Sequence, residues 1–133
     1  MWLLEADRTL HRGDAPVETV AGEAPLGDAL PEADALAISF GATQDGRGFS
    51  RAHQLRERGW TGRLVAIGPL EPDQARHAIQ CGFDAIAIED ATLARHGREA
   101  WAGALEVSVT EHYADQPGSR LSERGLWALR AVA

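Results

Sequence analysis

The sequence predicts an α/β fold: one domain on a parallel β-α-β-α-β core, forming a small open sheet or a partial TIM-like barrel. Two observations support this. Short apolar runs alternate with amphipathic stretches of roughly ten residues through the middle of the chain. Strands joined by helices in this way pair in parallel through right-handed crossovers. The length of 133 residues also suits a single domain that buries its own core.

We divide the single domain of residues 1–133 into an N-terminal β-rich extension (1–34), an α/β core (35–113) and a C-terminal tail (114–133). Within the extension, Trp2–Leu4 and Val17–Val20 are short strand candidates, and Arg12–Asp14 between them has turn composition. Residues 22–31 hold two prolines and two glycines, which indicates a loop.

The first core unit begins with Ala35–Phe40, a short apolar run typical of a strand buried on both faces. Ser50 has the residue type of a helix N-cap, which predicts a helix over Arg51–Arg58. The segment Asp45–Ser50 is therefore predicted as a loop between the first core strand and the first core helix.

The rest of the core is predicted to hold two strands and two helices. They are strands Arg63–Ile67 and Phe83–Ile88, a helix opened by Pro72 and capped by Gly82, and a helix from about Thr92 to about His112 that breaks near Gly97 or Gly103. We expect the apolar residues of the tail to pack in a short helix or an edge strand: Leu121, Leu126, Trp127 and Leu129.

Charge and composition exclude several classes of function. The net charge is -7 and no basic stripe is visible, which argues against nucleic acid and against an acidic membrane surface as partners. The 13 basic residues are all arginines, so Schiff-base catalysis and a phosphate-binding P-loop lysine are excluded. Met1–Leu4 is followed at once by Glu5 and Asp7, so we expect no signal peptide and a cytoplasmic protein.

The Asp45–Ser50 loop is the best candidate for an anion or substrate site. Gly46 and Gly48 permit positive φ and close backbone approach. Ser50 would begin a helix whose free N–H groups attract anions, and Arg47 could add a bidentate contact to sulfate, phosphate or carboxylate. The structural alternative is a tight loop in which Asp45 and Arg47 bond each other or the backbone. The third glycine of a dinucleotide fingerprint is missing, so we expect no NAD(P), flavin or other cofactor.

Acidic residues follow three successive core strands: Asp45, then Glu71 or Asp73, then Glu89 or Asp90. Carboxylates at neighbouring strand ends can hold Mg²⁺, but these positions are also those of helix starters and caps. We therefore predict no metal site. Asp73, its neighbour Gln74 and Glu89 stay as candidates for anion or substrate binding at the strand ends.

The remaining reactive side chains have structural interpretations. Cys81 precedes Gly82 at a helix end and is predicted as a buried structural cysteine, with a redox or nucleophilic role as the alternative. The five histidines show no metal-ligand spacing. The tryptophans are core or interface anchors, and their number is compatible with a homodimer. They include Trp60, Trp101 and Trp127.

Between Leu36 and Tyr113 the chain resembles the DUF934 family of bacterial proteins. The resemblance is carried by five motifs in one order: Asp45-Gly46-Arg47-Gly48-Phe49-Ser50, Leu55-Arg56-x-Arg58-Gly59, Gly62-Arg63-Leu64-x-Ala66-x-Gly68, Asp73-Gln74 and Cys81-Gly82-Phe83-Asp84. The resemblance implies an association with assimilatory sulfite reduction, and the family is sometimes described as an oxidoreductase.

Three hypotheses of function follow. The first is an accessory protein of sulfite and sulfur assimilation that binds a partner enzyme, such as a sulfite-reductase component, or a small anion. The second is a small enzyme, an oxidoreductase by the family description, with its site at the carboxyl ends of the parallel strands. The third is a structural or oligomerisation domain.

Overall fold

Six strands form one open sheet in the computed structural model, which describes residues 1–42 and 45–105. The strands are β1 Trp2–Glu5, β2 Leu10–Arg12, β3 Thr19–Ala21, β4 Ala35–Ser39, β5 Arg63–Ile67 and β6 Ala85–Ile88. Their order across the sheet is β2-β1-β6-β5-β4-β3, so β2 and β3 are its two edges. The α/β prediction is confirmed, with an open sheet rather than a closed barrel.

Strands β3 to β6 pair in parallel, and β1 and β2 are antiparallel to their neighbours. The predicted parallel core is therefore confirmed. The β-rich extension is confirmed too, because it supplies three of the strands. Strand β2 was missed: it has only three residues, and two of them are exposed, so no apolar pattern marked it.

Four helices lie within the described residues: α1 Arg47–Glu57, α2 Ala75–Gln80, α3 Asp90–His96 and α4 Arg98–Gly103. A 3₁₀ turn over Pro72–Gln74 leads into α2. The predicted break near Gly97 is confirmed, since this residue separates α3 from α4 with a φ of 88°. Val109, the predicted helix end at His112 and the tail from 114 lie outside the described residues.

The start of α1 is the main error in the predicted elements. The helix begins at Arg47 rather than Arg51, and Ser50 lies inside it instead of capping it. Gly46 is the N-cap, without a side-chain cap, and the Oδ1 of Asp45 just before it accepts a hydrogen bond of 3.1 Å from the backbone N–H of Arg47, which makes an Asx turn that leads into the helix. The predicted loop Asp45–Ser50 is thus largely the first turn of a helix.

The main core lies on one face of the sheet. Alternate residues of each strand point to this face, where side chains of α1, α2, α3 and α4 pack over them. Trp60 and Trp101 are buried in this core, 6% and 0% exposed, so both are core anchors. Because right-handed crossovers connect strands that follow in order across the sheet, α1 and α2 lie side by side on the same face.

Candidate functional site

Asp45 and Arg47 form an ion pair at the start of α1. Arg47 donates from Nε and Nη2 to the two carboxylate oxygens of Asp45, both at 2.9 Å. The hydrogen bonds from the Arg47 side chain and backbone lower the pKa of Asp45 to about 2. The two residues therefore largely neutralise each other, as the structural alternative for this loop described. Arg47 remains 61% exposed.

The ion pair between Asp45 and Arg47 makes the stability of the folded protein depend on pH. Its pKa is depressed in the folded protein, so its contribution to stability is present above about pH 4 and is lost as the pH falls toward 2. We expect a carbon-detected NMR titration to give a Asp45 carboxyl midpoint near 2, rising toward 4 in Arg47→Ala. An unchanged midpoint in that variant would contradict the pairing.

The two glycines of this segment differ in their surroundings. Gly46 is the N-cap of α1, with a φ of -83°, and a Cβ there would meet nothing closer than Phe49 at 4.0 Å. Gly48 is buried, and a Cβ there would lie 2.5 Å from the ring of Phe40. Neither has a positive φ, so that part of the prediction is wrong. Gly48 does provide close approach to the ring of Phe40, and a Cβ on Gly22 would in turn lie 2.8 Å from the Cα of Gly48.

A groove of about 520 Å³ runs between α1 and α2, beginning at the first turn of α1. Its wall on α1 includes Gly46, Phe49, Ser50 and His53, and its wall on α2 is formed by His77 and Cys81. Two of the predicted site residues, Gly46 and Ser50, therefore line an open groove. Both are exposed.

The groove brings together reactive side chains that are far apart in sequence. Within α1, His53 Nε2 lies 2.7 Å from Glu57 Oε1, also on the groove wall. Within α2, the Sγ of Cys81 lies 3.6 Å from His77 Nε2. The His77 ring also packs edge-on against Phe49, at 4.6 Å between ring centroids, which holds α1 and α2 together at this level.

Sequence reasoning placed both of these histidines on helices but did not assign them to a site. The spacing of His77 and Cys81 was the available signal, because residues four apart share one face of a helix. His53 and Glu57 have the same spacing. What the sequence could not show is that the two faces meet across one groove.

The other candidates stay outside this groove. Gln74 makes a capping box with Glu71, since its side chain accepts a hydrogen bond of 2.9 Å from the backbone N–H of Glu71. Asp73 lies in the first turn beside it, and Glu89 is the N-cap of α3; both are exposed. Within the described residues, no hydrogen bond or ion pair joins Asp45 to Asp73 or Glu89.

No group of three or more His, Cys, Asp or Glu side chains in residues 1–42 and 45–105 has the arrangement of a metal site. The acidic residues after the three core strands instead begin helices or pair with arginine. Asp90, for example, lies 3.5 Å from Arg12 and 3.7 Å from the amino group of Met1.

Sequence reasoning missed a buried ion pair between Arg56 and Asp84 at the amino ends of β5 and β6. The side chains are 6% and 2% exposed and 3.0 Å apart. Arg56 also donates to the carbonyl oxygens of Trp60, Gly62 and Gly82 at 2.8–3.0 Å. The available signal was Asp84, the one charged residue in the apolar strand candidate Phe83–Ile88. A charge that is buried with such a strand needs a buried partner.

Burial raises the pKa of Asp84 and lowers that of Arg56, in both cases against the attraction between the two charges. The second contact to the carboxylate comes from the backbone N–H of Leu64, 2.8 Å from Asp84 Oδ2. Together these bonds tie the end of α1 to the starts of β5 and β6. The network is structural, and it lies at the edge opposite the first turn of α1.

Residues of the motifs described in the sequence lie in both places. Arg56 and Asp84 form the buried ion pair, and the groove is lined by Gly46, Phe49, Ser50 and Cys81. A family model for DUF934, described as a bacterial protein of unknown function, matches residues 17–117. The chain belongs to the DUF934 family. The match covers more than half of the chain and extends the resemblance from the core back to β3.

Searches of curated proteins and of solved structures gave no match. The family assignment therefore brings no named activity with it. None of its described helices has the length and apolar character needed to cross a bilayer.

Proposed function

We propose that this DUF934 protein is a cytoplasmic accessory protein of sulfite and sulfur assimilation that binds a small oxyanion in the α1–α2 groove. The pathway comes from the association that the family resemblance implies, with a sulfite-reductase component as the partner. The observation that carries the binding role is the groove itself. It is open, it begins at the family motif, and it combines the hydroxyl of Ser50 with the imidazoles of His53 and His77.

The Ser50 hydroxyl and the His77 imidazole are side chains that can donate hydrogen bonds to an oxyanion, whereas His53 Nε2 already lies 2.7 Å from Glu57 Oε1. A serine hydroxyl and a neutral or protonated imidazole can each donate a hydrogen bond, and the imidazolium adds positive charge. The first turn of α1 contributes the positive end of the helix dipole, part of which Asp45 already uses. The net charge of -7 opposes anion binding, so local donors have to provide the affinity.

The expected affinity is modest. An ion of four non-hydrogen atoms, such as sulfite, gains at most about 6 kcal/mol on binding. This corresponds to a dissociation constant no tighter than tens of micromolar, roughly. Such a site suits a protein that presents or buffers an anion for a partner enzyme.

The test is calorimetric titration with sulfite at constant ionic strength, with chloride as the blank. We expect saturable binding, weakened about 3- to 10-fold by Ser50→Ala, because one hydrogen bond contributes about 0.5–1.5 kcal/mol. The matched control is Thr61→Ala, an exposed hydroxyl outside the groove.

Two results would count against this site. Absence of saturable sulfite binding at any pH between 6 and 8 would remove the oxyanion role. If Arg47→Ala abolishes binding while Ser50→Ala behaves like Thr61→Ala, the site lies at the Asp45–Arg47 pair instead of in the groove.

A further inference from the structure

His11 lies on the edge strand β2 and has an acceptor oxygen at each of its ring nitrogens. Its Nε2 lies 2.9 Å from Glu5 Oε2 on β1, and its Nδ1 lies 3.0 Å from the carbonyl oxygen of Arg12. A carbonyl oxygen and an ionised carboxylate only accept hydrogen bonds, and a neutral imidazole carries a single N–H. Both contacts are therefore hydrogen bonds only when His11 is protonated at both nitrogens.

Glu5 presents its acceptor oxygens in the ionised form. Arg63 on β5 donates from Nη1 and Nη2 to the two carboxylate oxygens, at 2.9 and 2.6 Å. Burial disfavours the charge of Glu5, but the hydrogen bonds from Arg63 and His11 outweigh it and lower the pKa of this carboxyl. The three side chains thus form one charged row that joins β2, β1 and β5.

The charges around His11 are of both signs. Among the described residues, Glu5 on β1 and Asp7 in the following turn are negative, and Arg63 on β5 is positive. On the same strand, the guanidinium of Arg12 points to the other face of the sheet. The hydrogen bonds to Glu5 and to the carbonyl oxygen of Arg12 raise the pKa of His11 above 6.5, and repulsion from Arg63 opposes the increase.

Strand β2 is short and largely exposed, so one side-chain contact matters to it. It has three residues, two of them exposed, and it pairs with β1 alone. We propose that His11 is a pH-sensitive switch at this edge of the sheet: the imidazolium fastens β2 to β1 through Glu5, and its deprotonation loosens the strand.

The direction of the switch follows from the two protonation states. The contribution of His11 is complete below about pH 6.5, its usual pKa, and is lost as the pH rises through the higher pKa of the folded protein. Loosening of β2 uncovers the backbone N–H and C=O groups of β1. An unpaired strand edge of this kind is a surface on which another chain can pair.

The first measurement is an NMR titration of the His11 ring in the full-length chain. We expect a midpoint above 6.5 that falls toward 6.5 in Glu5→Gln, because the new amide carries no charge. Asp7→Asn is the matched control. Its carboxylate is exposed and accepts a hydrogen bond from the backbone N–H of Thr9, which the asparagine oxygen can also accept. The His11 midpoint should move less in this control than in Glu5→Gln.

The second measurement is amide hydrogen exchange at about pH 6 and about pH 8.5, with each rate divided by that of an unstructured chain at the same pH. The reporters are the N–H groups of Gly13 and Glu5, which donate to backbone oxygens at the two ends of the β1–β2 pairing, at 3.2 and 2.9 Å. We expect their protection to fall about two- to fivefold at the higher pH. The N–H of Asp84, bonded to β5 at 2.7 Å, is the internal reference and should keep its protection.

His11→Gln decides whether the imidazole is the cause. Glutamine keeps an N–H donor for Glu5 but does not titrate, so the protection of Gly13 and Glu5 should be the same at both pH values. Two results would overturn the proposal. One is a His11 midpoint that is not above 6.5 or that Glu5→Gln leaves unchanged. The other is protection that does not fall in the unmodified chain, or that falls equally in His11→Gln. If Glu5→Gln does not fold, the exchange comparison alone decides, because His11 is exposed and can be replaced.

Discussion

Asp84→Ala is expected to lower the free energy of unfolding by about 3–5 kcal/mol, because it leaves the guanidinium of Arg56 buried without its partner. The backbone N–H of Leu64 loses its acceptor at the same time. Arg56→Ala should cost a similar amount, since it leaves the Asp84 carboxylate unpaired and three carbonyl oxygens without a donor. Urea denaturation followed by circular dichroism measures both changes.

The double variant Asp84→Ala/Arg56→Ala separates the pair from its surroundings. We expect it to cost less than the two single changes together, because neither charge is then left alone in the core. Arg47→Ala, which breaks the exposed pair with Asp45, is the control and should shift the denaturation midpoint only slightly. Equal effects of Asp84→Ala and Arg47→Ala would contradict the structural role of the buried network.

Gly48→Ala is expected to destabilise the protein by about 1–3 kcal/mol, although alanine in a helix normally gains about 1 kcal/mol over glycine. The reason is that the new methyl group would lie 2.5 Å from the ring of Phe40. That ring cannot move away easily, because it packs between Phe49 and Phe83 at centroid distances of 4.8 and 6.0 Å.

Gly46→Ala in the same motif is the matched control. Its Cβ would meet open space, so we expect a cost below about 1 kcal/mol from the weaker N-cap. Thermal unfolding of the two variants in parallel gives the comparison. If the variants unfold at the same temperature, the close approach at Gly48 is not a constraint on the fold.

The sequence was sufficient to predict most of the strands and helices of the α/β core. Apolar runs placed β4 and β5 within a residue of their observed ends, and the glycines predicted a helix break near Gly97 or Gly103, of which Gly97 is the observed one. These signals are local, since each follows from the period of the side chains or from backbone freedom. Strand β2 and the start of α1 were not predictable in the same way. Strand β2 lacks an apolar pattern, and the start of α1 follows an Asx turn made by Asp45, a residue that lies before the helix.

The site was predictable only in part. The motif led to Gly46 and Ser50, which line the groove, and to the Asp45–Arg47 pair, whose structural alternative matches the observed bonds. The other half of the groove, His77 and Cys81, comes from a helix whose position against α1 is a tertiary property. The acidic strand-end residues share an edge by topology, but sequence cannot tell whether side chains at one edge touch.

The most direct test of the groove as the ligand site is a ¹H–¹⁵N NMR titration of the assigned protein with sulfite. We expect progressive, saturable shifts at the amides of Gly46, Ser50 and His53 and of His77 across the groove. Shifts that instead centre on Asp73 and Glu89 would place the site at the strand ends. Such a result, or the absence of any saturable shift, would contradict the proposed oxyanion site.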